Sequence, residues 1–329
     1  MFPKTLTILA TVLLCSKFSA LAFAQSEKVI PQTEMEVEEI VISERHPGPS
    51  LWQVRNGDNV LWIIGLLRPL PKSFEWDSAR VDWIISHSQE FITNPNVTSK
   101  TTNPLKMLSV GLKYQRLRKL SEDQTLSDIL PPELYADSLK AWEQYAPQFD
   151  GMDETRPLFV AETLLNGALD SLDFDKNFDI QRELRTIARD HRVPITDNTI
   201  NVSVDLALDA MSQTPMEMEI ACLENTLASI ESDLQSSAQR AQAWANGHGD
   251  ALNSFEYPSI SSACFVSAVQ VEDAFVEAEK QSRDQWVEAV TEALKTNEST
   301  FTMLQIRELV DPEGLLAELR EMGYEVAAP

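Results

Sequence analysis

Two apolar, aromatic-rich runs joined by a short turn constrain the fold of this chain more than any other segment. Leu51-Trp52-Gln53-Val54-Arg55 leads through Asn56-Gly57-Asp58 into Val60-Leu61-Trp62-Ile63-Ile64-Gly65. An Asn-Gly pair between such runs is a strong β-hairpin signal, because both central residues of the favoured turn need positive φ. The sequence therefore predicts a β-hairpin over residues 51–65.

Helical periodicity alternates with short strand-like runs after the hairpin. The spacing of apolar residues predicts helices at 77–87, 103–119, 131–145, 156–169, 180–190, 216–245, 282–294 and 312–322, and strands at 90–93, 193–196, 301–306 and 324–326. Pro312 is expected in the first turn of the last helix and Gly323 at its C-terminal cap. This alternation is typical of α/β folds, so we predict an α/β fold with many helices.

The charge of the chain restricts its partners. The 329 residues include 27 Lys and Arg against 51 Asp and Glu, which gives a net charge of −24. This net charge would repel both phosphate backbones and anionic lipid. Nucleic-acid binding depends on cations that neutralise phosphates, so nucleic acid is not expected as a partner. Hydrophobic residues make up 43% of the chain. That content excludes a wholly disordered chain and leaves material for one large or two modest domains.

The first 24 residues have the features of a secretory signal peptide. Lys4 precedes an apolar run at residues 6–14, and Ala22-Phe23-Ala24 provides an A-x-A cleavage pattern. The apolar run is too short to span a bilayer, so we expect cleavage after Ala24, no membrane span afterwards, and a periplasmic or secreted protein. Residues 25–49 are polar and acidic and are expected to form a flexible tail before a folded domain at residues 50–329.

Cys222 and Cys264 would remain after cleavage of the signal peptide. Export leads to an oxidising compartment, where such cysteines form disulfides. We therefore predict a Cys222–Cys264 disulfide. A cysteine nucleophile is the alternative, but it needs a positioned base, and no His lies close in sequence to either residue.

The sequence contains no common catalytic or nucleotide-binding motif. A Gly-x-Ser-x-Gly elbow, a phosphate loop and a Gly-x-Gly-x-x-Gly loop are all absent. None of His46, His87, His191 and His248 has ligand spacing to another, so the residues predict no histidine metal site. Asp197 follows the strand predicted at 193–196, where α/β folds place functional groups. A turn or cap residue is the other interpretation of Asp197.

Both ends of the predicted domain resemble a known family. The hairpin that runs through Gly65 into Pro69-Leu70-Pro71, and the C-terminal Glu313-Gly314-Leu315-Leu316 and Gly323-Tyr324-Glu325-Val326, are similar to TraB/GumN proteins, which are relatives of the Tiki proteases. The resemblance covers residues 50–327. It implies a mixed β-sheet built from two related halves, each with one Gly-x-x-His motif, and an activity like that of the family's metal-dependent peptidases.

This chain departs from the family pattern at both histidines. The first motif reads Gly65-Leu66-Leu67-Arg68, and the second aligns as Gln305-Ile306-Arg307-Glu308, so Arg68 and Glu308 stand at the ligand positions. A guanidinium has no lone pair for a metal. It would also repel a divalent ion about 5 Å away by roughly 7 kcal/mol at an effective dielectric constant of about 20. We therefore expect no metal centre, and we hypothesise an Arg68–Glu308 ion pair.

These observations favour an exported pseudoenzyme that binds a peptide or small ligand and uses no cofactor. Its acidic surface would favour a basic peptide, a basic protein or a polyamine, whereas binding of a ligand in the cleft at the former metal site would be less sensitive to salt. The alternative is a periplasmic peptidase-like hydrolase in which Asp197 and Glu308 act as acid, base or ligands of a divalent metal and Arg68 holds an anionic group. A structural envelope protein without a concave pocket is a third reading.

Overall fold

A six-stranded mixed sheet lies at the centre of the fold. The computed structural model describes residues 48–175, 179–255, 257 and 273–329. Its strands are β1 (Leu51–Asn56), β2 (Asn59–Leu66), β3 (Leu70–Pro71), β4 (Glu90–Ile92), β5 (Asn96–Thr98), β6 (Phe174–Asp175), β7 (Ile195–Thr196), β8 (Thr199–Asn201), β9 (Ser299–Gln305) and β10 (Glu325–Ala327). The central sheet has the order β10-β1-β2-β9-β4-β7, and β3–β6 and β5–β8 form two small separate pairs.

Helices surround this sheet and form a second layer beside it. They are α1 (Ala79–Ser86), α2 (Pro104–Leu117), α3 (Leu126–Ile129), α4 (Pro132–Tyr145), α5 (Pro157–Ser171), α6 (Ile180–Asp190), α7 (Val204–Gln213), α8 (Met216–Ala245), α9 (Gly249–Leu252), α10 (Asp273–Thr296), α11 (Ile306–Val310) and α12 (Leu315–Glu321). The α/β fold with a mixed sheet is confirmed. The relation between two halves stays a prediction.

The predicted hairpin forms, but its turn differs from the expected one. β1 and β2 pair antiparallel from Leu51–Ile64 to Asn56–Asn59, which leaves Gly57 and Asp58 as the turn. Only Gly57 has positive φ (62°). The prediction of two residues with positive φ was therefore wrong. Asn56 ends its strand, and its side-chain amide donates instead to the Leu294 carbonyl at 3.1 Å.

Four strands run parallel and end at the same edge of the sheet. β2 pairs with β9, β9 with β4, and β4 with β7, all in parallel register. Gly65 near the end of β2 lies beside Leu304 near the end of β9. Because the carboxyl ends of these strands meet at one edge, residues that follow β2, β9, β4 and β7 are brought close together.

The C-terminal helix predicted at 312–322 begins later than expected. Pro312 lies in a turn between α11 and α12, and Gly314 takes the N-cap position of α12. A Cβ on Gly314 would lie 2.5 Å from the Glu308 carbonyl oxygen. This close approach of two backbone segments requires glycine and separates α11 from α12.

Two hydrophobic cores lie on either side of the middle of α8. The sheet core is formed by the central strands together with α1, α6, α9, α10, α11 and α12, and it includes Trp52, Trp244 and Trp286. The helical core is formed by α3, α4, α5 and the first half of α8. α8 contributes Leu223 and Ile230 to the helical core and Trp244 to the sheet core. One continuous helix therefore links both cores.

Candidate functional site

A cavity of about 910 Å³ opens at the carboxyl edge of the parallel strands. The residues after β2 and β9 form one wall, and α5 and the middle of α8 form another. Its apolar lining comprises Leu66, Leu67, Val97, Leu165, Leu169, Ile230, Leu234, Leu304 and Ile306, and its charged lining comprises Arg68, Arg240, Arg283, Arg307, Asp233, Glu279, Glu308, Asp311 and Glu313. The cavity thus combines apolar walls with charges of both signs, as ligand-binding clefts commonly do.

Arg68 reaches this cavity from the end of β2. It precedes Pro69, and the two are joined by a cis peptide bond. An Nη atom of Arg68 lies 2.6 Å from a carboxylate oxygen of Asp179, while 55% of the Arg68 side chain remains exposed. Asp179 is the N-cap of α6 and also accepts from the Gln181 backbone N–H at 3.1 Å. This helix cap therefore fixes Arg68 at the cavity wall.

Gly65 allows this wall to pack closely against its neighbours. A Cβ at Gly65 would lie 2.6 Å from Ile306 Cδ1 and 3.2 Å from Leu309 Cδ1. The Gly65 carbonyl accepts from the Trp244 indole N–H at 2.6 Å. The segment that carries Arg68 is thereby attached both to α11 and to the end of α8.

Glu308 lies on α11, directly after β9, and lines the same cavity. Its Oε2 accepts from Arg283 Nη1 at 2.8 Å and from the Leu315 backbone N–H at 3.1 Å. Arg283 belongs to α10, and Leu315 is the first residue of α12. Glu308 therefore joins α10 to the N-terminus of α12, where a negative charge is favourable.

The structure places Arg68 and Glu308 on one cavity but gives them different partners. Arg68 pairs with Asp179, and Glu308 pairs with Arg283. The hypothesised Arg68–Glu308 ion pair was therefore wrong. Neither Asp179 nor Arg283 was identified as a site residue in the sequence, because both partners are distant along the chain and follow no motif.

Asp197 lies at the same edge of the sheet, outside the cavity lining. It accepts from both Nη atoms of Arg185, at 3.0 and 3.3 Å, and from the Thr199 backbone N–H at 3.1 Å. The hydrogen bond to Arg185 is the main reason why its pKa is lowered to about 2. Thr93 Oγ1 donates to it at 3.3 Å. The structure thus supports the turn interpretation of Asp197 and does not bring it together with Arg68.

Buried polar residues of α8 also line the cavity. Arg240 is only 6% exposed. It donates to Ser237 Oγ at 2.6 Å and lies 5.5 Å from the centroid of the Tyr257 ring. Burial raises the pKa of Tyr257 to about 12. No motif in the sequence marks these residues, since the helical pattern of α8 predicts only its apolar stripe.

The side chains of Arg68 and Glu308 do not suit a metal ion. Arg68 offers a cation, and Glu308 already accepts two hydrogen bonds. Within the described part of the chain, no group of three or more His, Cys, Asp or Glu side chains could hold a metal ion. His191 binds Asp82 at 3.2 Å and His87 stacks on Trp83, both at positions that do not line the cavity.

The predicted disulfide and the N-terminal segments fall largely outside the described residues. Cys222 is buried on α8, whereas Cys264 lies outside the described residues, as do the signal peptide and residues 25–47. The disulfide stays a prediction. None of the described helices combines the length and the apolar character needed to cross a bilayer.

Comparison with known proteins identifies the family. A family model described as the TraB/PrgY/gumN family matches residues 50–328. No curated protein and no solved structure gives a match. The matched range includes β1 through β10 and every residue that lines the cavity. The chain belongs to the TraB/PrgY/gumN family.

Proposed function

We propose that this chain is an exported, non-catalytic member of the family, which binds a peptide or small ligand in the cavity at the carboxyl edge of the sheet. The observation that carries the proposal is the position of Arg68 and Glu308 on the cavity and the ion pair that each one forms. Both line the cavity after neighbouring parallel strands, and each is held in an ion pair with a different residue. We infer that they occupy the positions of the family's two histidines.

The lining of the cavity suits a peptide. Leu165, Leu169 and Leu234 provide an apolar wall on α5 and α8. Arg68 and Arg307 belong to the wall formed by the residues after β2 and β9, and more than half of each side chain is exposed. A peptide presents apolar side chains together with backbone carbonyls and terminal charges, so it could satisfy both walls. The acidic surface of the chain adds a preference for a basic peptide.

Export is supported by the sequence of the first 24 residues. Their basic start, short apolar run and A-x-A pattern are typical of a cleaved signal peptide. The proposed compartment is the periplasm or the medium, with no cofactor and no nucleic-acid partner.

A peptidase-like hydrolase is the second candidate. One observation favours it: Glu308, Asp311 and Glu313 share the cavity with Arg68, so carboxylates could act as acid or base beside a cation that binds an anionic group. Asp197, which the sequence offered for this role, does not line the cavity.

Metal content of the purified chain is the first test. We would measure it by mass spectrometry for the wild type, for Arg68→His with Glu308→His, and for Arg307→His as a matched control on the same cavity. We expect no stoichiometric metal in the wild type or the control, and zinc uptake by the double variant. Stoichiometric zinc or manganese in the wild type would overturn the non-catalytic proposal.

Retention of peptides from a random library tests binding, and mass spectrometry of the retained fraction detects cleavage. Leu165→Trp should fill the apolar wall and lower retention at least about tenfold, a loss equal to about 1.4 kcal/mol of binding free energy. Leu139→Trp, at an exposed position outside the cavity, is the control. Cleaved peptides that disappear in Arg68→Ala would support the hydrolase instead. Equal retention by both tryptophan variants would contradict binding in the cavity.

A further inference from the structure

α2 exposes an unusually apolar surface for a helix on a folded domain. None of its 14 residues is buried. Leu105, Leu108 and Leu112 are 80%, 65% and 55% exposed. Positions i, i+3 and i+7 lie on one side of a helix, so the three leucines form an outward stripe about two turns long. We call this the leucine stripe.

The segment that carries the leucine stripe has a charge opposite in sign to that of the whole chain. Residues 99–120 contain Lys100, Lys106, Lys113, Arg116, Arg118 and Lys119 and no Asp or Glu, although the whole chain carries a net charge of −24. Such a concentration of cations in an acidic protein attracts anions locally, because charges farther away than about 8 Å are screened at physiological salt.

The ion pairs that hold α2 use only the side of the helix that faces the domain. Lys106 pairs with Asp205, and Lys113 with Asp209 at 2.5 Å, so both cations bind α7. Arg118 lies over the rings of Tyr114 and Phe159. These contacts turn the leucine stripe away from the helical core.

Other cations of the segment 99–120 are not used in these ion pairs. Lys100, Arg116 and Lys119 are exposed. No carboxylate in the described ranges lies within ion-pair distance of any of the three. Arg116 is four residues from Leu112 and therefore borders the stripe on the same side of α2.

The shape and charge of this surface indicate which kind of partner binds to it. Two copies joined through α2 would bring their cations together, which opposes self-association. No α2 residue lines the cavity described above, so the leucine stripe is a surface and not a cleft that could enclose a peptide. A helix with an apolar stripe bordered by Lys and Arg instead has the form that lies in the headgroup region of an anionic bilayer. We propose that α2 is a peripheral docking surface for membranes rich in anionic lipid.

Vesicle flotation with the full chain tests this proposal. The probes are vesicles of phosphatidylcholine alone and vesicles that contain about one-third phosphatidylglycerol. We expect the wild type to float only with the anionic vesicles and to be released by high salt. Arg116→Gln with Lys119→Gln should lower the partition coefficient roughly 30-fold, since each cation near such a surface contributes about a factor of five.

A second variant tests the apolar part of the surface. Replacing Leu105, Leu108 and Leu112 with Ser should lower binding at least about tenfold. Leu139→Ser with Leu172→Ser removes two exposed leucines elsewhere and should bind like the wild type. All variants keep the same N-terminal residues, so any binding by residues 6–14 is common to them. Circular dichroism confirms that each variant is folded.

Two results would overturn the proposal. The first is full binding to anionic vesicles by both the Arg116→Gln/Lys119→Gln variant and the variant with three serines. The surface that binds the membrane would then lie elsewhere. The second is failure of the wild type to float with either vesicle, which would leave an acidic protein as the partner of the leucine stripe. Both results are independent of the peptide-binding test, because neither probe enters the cavity.

Discussion

Asp197 shows how a single carboxylate can stabilise the edge of the sheet in a pH-dependent way. Its hydrogen bond from Arg185 is the main cause of a pKa of about 2, well below the usual value of 3.8. A lowered folded-state pKa stabilises the protein above the unfolded pKa, and this contribution is lost as the pH falls from about 4 to about 2. Because 50% of the Asp197 side chain is exposed, solvent screening limits the contribution to about 1 kcal/mol.

We therefore predict that Asp197→Asn lowers the free energy of unfolding by about 1 kcal/mol near neutral pH and that the difference from the wild type disappears near pH 2. Urea titrations across this pH range provide the measurement. Asp123→Asn, in an exposed loop, should change stability by less than about 0.5 kcal/mol at every pH. If the difference in the free energy of unfolding between Asp197→Asn and the wild type grows on acidification, the Asp197–Arg185 pair is not the source of the stabilisation.

Individual site residues were only partly predictable from the sequence. Arg68 and Glu308 could be placed at one site, because the resemblance to the family aligns them with its two histidines, and both line the same cavity. Their partners Asp179 and Arg283 could not, since an ion pair between distant residues depends on the packing of α6 and α10. The sequence correctly predicted that Asp197 follows a strand at this edge of the sheet. Asp197 does not line the cavity, and the sequence alone could not exclude it.

Two glycines in helix interiors have opposite effects on the elements that carry them. A Cβ on Gly167 of α5 would lie 1.8 Å from the Tyr145 carbonyl oxygen at the end of α4, and that backbone atom cannot move aside. A Cβ on Gly111 of α2 would meet no atom within 4 Å. Gly167 thus permits the close approach of two helices, whereas Gly111 only weakens its own helix.

We predict that Gly167→Ala lowers the free energy of unfolding by more than about 2 kcal/mol, through overpacking. Gly111→Ala should raise it by about 0.5–1 kcal/mol, through helix propensity and reduced freedom of the unfolded chain. Chemical denaturation of Gly167→Ala and Gly111→Ala measures both changes in the free energy of unfolding. Similar changes of the same sign would contradict the close packing of α4 and α5.

Long periodic elements were predicted best. The bounds expected for α6 and α8 match the observed helices, because their apolar stripes run for several turns. The pairs β3–β6 and β5–β8 were missed, since two or three residues carry no measurable alternation. The extended start of α10 and the split between α11 and α12 were missed as well. In the latter case, the contact between Gly314 and the Glu308 backbone decides where the helix begins.

At the scale of the whole domain, α8 contributes residues to both hydrophobic cores. Leu164 in the helical core and Leu61 in the sheet core are both fully buried. We predict that Leu164→Ala and Leu61→Ala each lower the free energy of unfolding by about 2–5 kcal/mol. Because α8 is continuous between the cores, hydrogen exchange should accelerate in β2 and in α5 for either variant.

The exposed Leu139→Ala provides the control for this experiment and should leave exchange in both cores unchanged. Faster exchange confined to the core that carries each substitution would show that the cores unfold separately. The cavity lies between the cores, so this measurement also tells whether its two walls are held by one cooperative unit.

The continuity of α8 also restricts how the length of the chain can change. The helix has 30 residues, about 45 Å at 1.5 Å each, and it must present Leu223 and Trp244 to different cores at a fixed angle. Inserting one residue between them would rotate everything beyond by about 100° and turn one apolar face to solvent. Deleting one residue would rotate the following part of the helix by the same angle in the opposite direction. Among relatives, length variation should therefore be found in loops such as residues 118–125, and α8 should keep its number of residues between the two cores.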